Sequence, residues 1–149
     1  MAKSIDIIRG EHRALASVLA ALREIVDGVA AGRFQPDFQL LSAMMVYIAD
    51  VPEIVHHPKE DDFLFARMKL RSPDAGAIID RLEKEHVEGY ALTRELEHAL
   101  VRWQGFGQGA FAQFQDCVTR YLDFNWRHLN VEEDELIPIA RRDLKPEDW

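Results

Sequence analysis

An all-α fold, an up-down-up-down antiparallel bundle of four helices, is the class that this sequence predicts. Three observations carry it. Apolar residues recur at alternating spacings of three and four along four long stretches, the pattern of a helix face turned to a core. Glycine and proline clusters separate the stretches, and connections this short place consecutive helices antiparallel. The chain has 149 residues, 48% hydrophobic and 30% charged, which suits one globular domain (1–149) with a real core.

The first helix is expected from about Ser4, as N-cap, to Ala31. Its stripe is Ile5, Ile8, His12, Leu15, Leu19, Leu22, Val26 and Val29, and Gly32 is placed to cap its end. The second starts near Pro36, with Phe38, Leu41, Met45, Ile48, His56, Glu60 and Phe63 on one face. Pro52 and Pro58 each remove a backbone donor and should kink or split it. Ser72-Pro73 reads as N-cap and first turn of the third helix, whose stripe is Ile79, Leu82, His86, Gly89, Thr93, Leu96, Leu100 and Trp103. A glycine-rich loop, 105–109, precedes the fourth. That helix aligns Phe111, Phe114, Val118, Tyr121, Asn125, His128, Glu132 and Glu135, and Pro138 should end or bend it. The tail from Lys145 to Trp149 carries no readable pattern.

Polar residues interrupt these apolar stripes in a repeated way. His12 is followed 44 residues later by His56 and then Glu60; His86 is followed 42 residues later by His128 and then Glu132. Each histidine–glutamate pair is spaced i, i+4, so both side chains leave one helix face a turn apart. Counted from the loop centres near Arg33 and Phe106, the four histidines lie 20 to 23 residues away. All four therefore share one level, roughly 30 Å from that end of the bundle at about 1.5 Å per residue. Imidazole nitrogen and carboxylate oxygen together suit iron, manganese or zinc. Four imidazoles and two carboxylates exceed what one ion takes and suit two, a metal site in the core. Without metal, six inward polar groups would carry a large desolvation penalty.

The second helix offers a competing register, His57/Asp61. Aligning Leu64-Phe65 with Leu136-Ile137 favours His56/Glu60 and leaves His57 and Asp61 as flanking residues, each a candidate outer partner or extra ligand. Tyr90, four residues after His86, is a candidate extra ligand; Tyr121 and Asn125, on the stripe before His128, are candidate outer partners. Ile8, Phe63, Leu82 and Trp126 are candidate apolar walls. His98 should face solvent and Cys117 should be a small core residue. The runs 59–62 and 132–135 should be solvated faces apart from the proposed ligands.

These residues resemble the hemerythrin-like, or HHE cation-binding, domain family. The resemblance spans nearly the whole chain. It rests on His12, on His56-His57-Pro58-Lys59-Glu60-Asp61 with Phe63-Leu64-Phe65, on Glu85-His86, and on His128 to Glu132 with Leu136-Ile137-Pro138. It implies a four-helix bundle around a non-haem di-iron centre, oxo- or hydroxo-bridged. It also implies O2, NO or peroxide as the small ligand. Oxygen-carrying hemerythrins have a second histidine four residues along the third helix and a histidine–aspartate pair on the fourth. Here those places hold Tyr90 and Glu132. The loss of a neutral nitrogen argues against reversible oxygen carriage. It favours a resemblance to bacterial HHE proteins of iron handling, redox signalling or stress response. A di-iron enzyme consuming peroxide or activating oxygen, or an iron store or donor for repair of iron centres, is the alternative.

Net charge is −8, which argues against a nucleic-acid partner. One cysteine cannot form an internal disulfide. The N-terminus meets charge before an apolar run, and no stretch is expected to reach the length of a membrane span, so a cytoplasmic protein is expected. Neither a protein partner nor a homodimer interface is readable in the pattern.

Overall fold

The chain is helical almost throughout, and the computed structural model describes residues 2–148; Met1 and Trp149 lie outside the described residues. Among the described residues there is no strand. α1 covers Ala2–Ala30, so Ser4 lies inside the helix rather than capping it. Gly32 follows with φ +69°, a left-handed conformation that suits a residue without Cβ. α2 covers Phe38–Asp50, and its start is set by Asp37, whose Oδ1 accepts the backbone N–H of Leu40 at 3.0 Å.

Beyond α2 the helix continues to Arg71, but in alternating regular and widened turns. Val51–His56 and Glu60–Phe65 are π-helical, with the short α3 (His57–Lys59) between them and α4 (Ala66–Arg71) after them. A 3-10 turn, Pro73–Ala75, leads into α5, Gly76–Phe106, and a second, Gly107–Ala110, joins α5 to α6, Phe111–Val131. A third π-turn, Glu132–Leu136, separates α6 from α7, Ile137–Asp143.

The prolines account for the position of two widened turns. A proline ring clashes with the carbonyl four residues before it. For Pro58 that carbonyl belongs to Ile54 and for Pro138 to Asp134, and both lie within π-turns. Widening opens the turn and keeps the helix running: His57 N–H donates to Pro52 O and Ile137 N–H to Glu132 O, five residues back. The expected break in the second helix is therefore a widening. One consequence is that Phe38–Arg71 forms a single run long and apolar enough, by length and composition, to cross a membrane, against the expectation of none. Its inward face is buried here through Leu41, Met44, Met45 and Ile48.

Contacts between side chains link each helical run to the next. His12 meets His56 while Phe34 returns to Gly28; Asp61 meets His86 while Lys69 meets Glu83; Glu85 meets His128 while Arg102 meets Gln113. The last run also lies on the first, through Arg9–Glu133 and Arg23–Asp123. Inside this helical bundle the apolar core is divided. A larger cluster including Leu19, Leu22, Ile48, Leu96, Trp103 and Phe114 fills the end near the glycine loops. A smaller one with Ile5, Phe65, Met68, Ile79, Leu82 and Leu136 fills the other end.

The first and third stripes are buried as the spacing predicts, and His98 is exposed as expected. The π-turns displace the other two. Phe63 and Glu135 are exposed, and Leu64, Phe65, Leu136 and Ile137 are buried in their stead. Cys117 is a buried core residue. Asp37→Ala is expected to lower stability by about 1 kcal/mol through loss of the helix cap. Asp37→Ser should retain most of it, as read by urea denaturation of both variants.

Candidate metal centre

Between the two apolar clusters lies a buried polar layer. His12, His56, His57, Glu60, His86, His128 and Glu132 are all buried, and they come from four different helical runs. The matched depth expected for the four histidines is thus realised as one level. Potential donor atoms fall into two sets, His12/His56/Glu60/Glu132 and His57/His86/His128, each with its atoms within 4.8 Å of one another.

The two glutamates join the sets. Glu60 lies 3.5 Å from His12 Nε2 through Oε1, and 3.4 and 3.6 Å from His56 Nε2 and His86 Nε2 through Oε2. Glu132 lies 3.3 Å from His12 Nε2 through Oε2, and 3.2 and 3.8 Å from His128 Nε2 and His86 Nε2 through Oε1. His12 Nε2 and His56 Nε2 are 3.0 Å apart, so a proton or a cation must stand between those lone pairs.

An outer ring of carboxylates orients the imidazoles. His12 Nδ1–H donates to Glu133 at 2.8 Å; at 2.9 Å His56 donates to Glu11, His86 to Asp61 and His128 to Glu85. A carboxylate can only accept, so each of these rings carries its proton on Nδ1 and directs Nε2 inward. Lys59 also binds Glu11. The runs 59–62 and 132–135 are therefore not merely solvated faces: Lys59, Asp61 and Glu133 belong to this ring. Asp61 was foreseen as an outer partner. Glu11, Glu85 and Glu133 were not, although a signal existed, since each adjoins an inward-facing residue in sequence.

Several expected residues lie elsewhere. His57, a candidate outer partner or extra ligand, faces the site itself, stacked on His86 with ring centroids 4.0 Å apart. The π-turn before Pro58 lets consecutive residues His56 and His57 share the interior. Tyr90 is 55% exposed and outside both donor sets. Four residues on a regular helix overshoot a full turn, and the inward stripe of α5 passes through Gly89 instead. The absence of Cβ there admits the ring of Phe124, whose nearest carbon would be 3.3 Å from an added Cβ. Tyr121 and Asn125 are buried, but Asn125 donates to the Tyr121 carbonyl at 2.9 Å, a link within α6. Of the expected walls, Ile8 and Leu82 are buried, while Phe63 is 69% exposed and Trp126 half-exposed. Phe65 and Phe124 stack on His86 and His128 in their place.

Electrostatics favour a cation here. Burial opposes a charged His12, yet Glu132 and Glu60 push its pKa up to about 10. His128 also reaches about 10 against burial, through Glu132 and then Glu85. Burial and the neighbouring Glu132 raise Glu60; Glu132 itself is held well below the usual carboxylate range, His128 and His12 overcoming its burial. Burial lowers His57. Glu60 Oε2, both Glu132 oxygens, His86 Nε2 and His128 Nε2 have no hydrogen-bond partner. Buried polar atoms are rarely left so, and five of them converging on one volume fit a cation.

The fold and this layer define an all-helical protein whose buried histidines and carboxylates could hold metal ions. The chain belongs to the hemerythrin HHE cation binding domain family, whose model matches residues 3–140. No curated protein and no solved structure matches the chain.

The metal-stripped protein should lose stability as pH rises from 6.5 to about 10. His12 and His128 have folded pKa values raised above the unfolded 6.5, so their contribution is full below 6.5 and vanishes through about 10. Below about 4.5 the depressed Glu132 removes stability in the other direction. Melting temperatures across pH, measured in chelator, check both limbs; a flat alkaline limb would contradict the buried imidazolium assignment.

Proposed function

We propose that the chain is an up-down-up-down four-helix bundle that holds two iron ions and binds or senses O2, NO or peroxide. The observation that supports it most is the convergence of five buried histidines on two buried glutamates that each reach both donor sets. His12 and His56 would hold one ion; His57, His86 and His128 the other; Glu60 and Glu132 would span them. When bound, such a pair supplies Lewis-acid and one-electron redox chemistry to a small ligand.

The chain's own residues have separable tasks. The outer carboxylates fix ring orientation and tautomer, and raise the basicity of the inward nitrogens. Phe65, Phe124, Ile8 and Leu82 line the layer with apolar surface and keep bulk water out. Loss of a nitrogen ligand no longer argues against oxygen carriage, because His57 supplies a fifth imidazole where Tyr90 does not. The cell interior is the compartment proposed for the protein.

Anaerobic loading with Fe(II) should give two ions per chain and raise the melting temperature, since ligands of the folded state alone stabilise it. His57→Ala and Glu60→Ala should each reduce the stoichiometry or affinity. Tyr90→Phe should leave the optical spectrum of the oxidised protein unchanged. At most one ion at saturation, or an unaltered melting temperature, would defeat the dinuclear reading. The stripped protein should stay folded, because the apolar clusters on either side do not involve the layer.

A further inference from the structure

Two depressions open beside the buried layer, and they differ in charge. One, of about 430 Å³, is bordered by Ile7, Phe63 and Leu64, with the cations Lys59 and Arg67 balanced by Glu147 and Asp148, and no residue of the layer lines it. The other, of about 380 Å³, lies between the second helical run and α5, and its lining includes His57 and His86. Three carboxylates, Glu53, Asp61 and Glu83, surround it.

We propose that this acidic depression is the route by which a divalent cation reaches the buried layer, with His57 as the first nitrogen it meets. The inference rests on the dinuclear reading above. Besides the carboxylates, it stands on the state of His57. Four of the five rings are each pinned by a carboxylate at 2.8–2.9 Å. His57 is buried, yet its Nδ1 has no hydrogen-bond partner, the nearest carboxylate, Glu53, being 3.5 Å away. It is therefore the ring whose rotation breaks no hydrogen bond.

The repeat in the sequence sharpens the point. Glu11-His12 and Glu85-His86 correspond, as do His56 to Asp61 and His128 to Glu133. In that register the place of His57 is taken in the other half by Leu129, and that of Glu53 by Asn125. His57 and Glu53 are thus additions to one side of an otherwise doubled site, and it is on that side that the depression opens. Carboxylates around a recess raise the local cation concentration and the association rate. At the other depression Lys59 and Arg67 are offset by Glu147 and Asp148, so no net attraction for a cation arises there.

The test is the rate of cobalt(II) uptake by the metal-stripped full chain, followed by stopped-flow absorbance in the absence of air. Ile54→Trp and Val87→Trp add bulk at exposed rim positions, and Glu83→Gln removes a rim charge that holds no histidine. Each should slow uptake, the tryptophans by about tenfold, with final stoichiometry and the melting temperature of the stripped protein unchanged. Added salt should slow the wild type more than Glu83→Gln. Phe63→Trp, at the other depression, should leave the rate unaltered. Two ions bound at wild-type rates in all three rim variants would overturn the route alone, as would slow uptake confined to Phe63→Trp. A wild type that binds no cobalt would overturn the dinuclear reading, and the route with it.

Discussion

Glu60 and Glu132 are buried side by side in an apolar interior, and most of the surrounding structure answers that constraint. Two anions removed from water repel each other and lose their hydration. They persist only with positive charge between them. In the stripped protein that charge is protons on His12 and His128, both held to about 10. The same nitrogens, once deprotonated, could hold a metal ion, and protons and cations would then compete for one volume. Apolar clusters above and below exclude the water that would otherwise screen the pair.

The outer ring resolves the difficulty one step further out. Each pinned imidazole needs an acceptor for its Nδ1 proton, and each acceptor is partly exposed, its side chain 22–37% accessible, where a carboxylate is more readily charged than in the layer. The ring also ties the helices together. Glu11 and Glu85 serve histidines within their own hairpins, whereas Asp61 and Glu133 reach across to the other hairpin. The layer is therefore clamped in both directions, and its geometry is set by contacts outside it. His57 departs from this scheme, which gives the two donor sets different nitrogen counts, so that two ions held there would have different surroundings.

Widened turns are the device that makes the layer possible. A regular helix presents adjacent residues about 100° apart, so a strict stripe admits one of His56 and His57. The π-turn at Val51–His56 brings both inward, and the turns at Glu60–Phe65 and Glu132–Leu136 reset the faces that follow. Regular periodicity placed Phe63 and Glu135 on the buried stripe for that reason, and the fold exposes both. Tyr90 failed differently: α5 is regular there, and i+4 carries the side chain past the inward face that Gly89 and Thr93 hold.

The sequence by itself determined the helical class, the stripes of the first and third helices, and the shared depth of His12, His56, His86 and His128. Those features follow from residue spacing on a straight helix and from counting along equal hairpins, which are local quantities. Tertiary structure decided that His57 joins the layer, that Glu11, Glu53, Glu85 and Glu133 surround it, that Phe65 and Phe124 rather than Phe63 and Trp126 wall it, and that Tyr90 stays outside. Each of these depends on where a helix departs from its regular period, or on which side chain of one helix faces which of another. Neither is encoded in the spacing along a single stretch of chain.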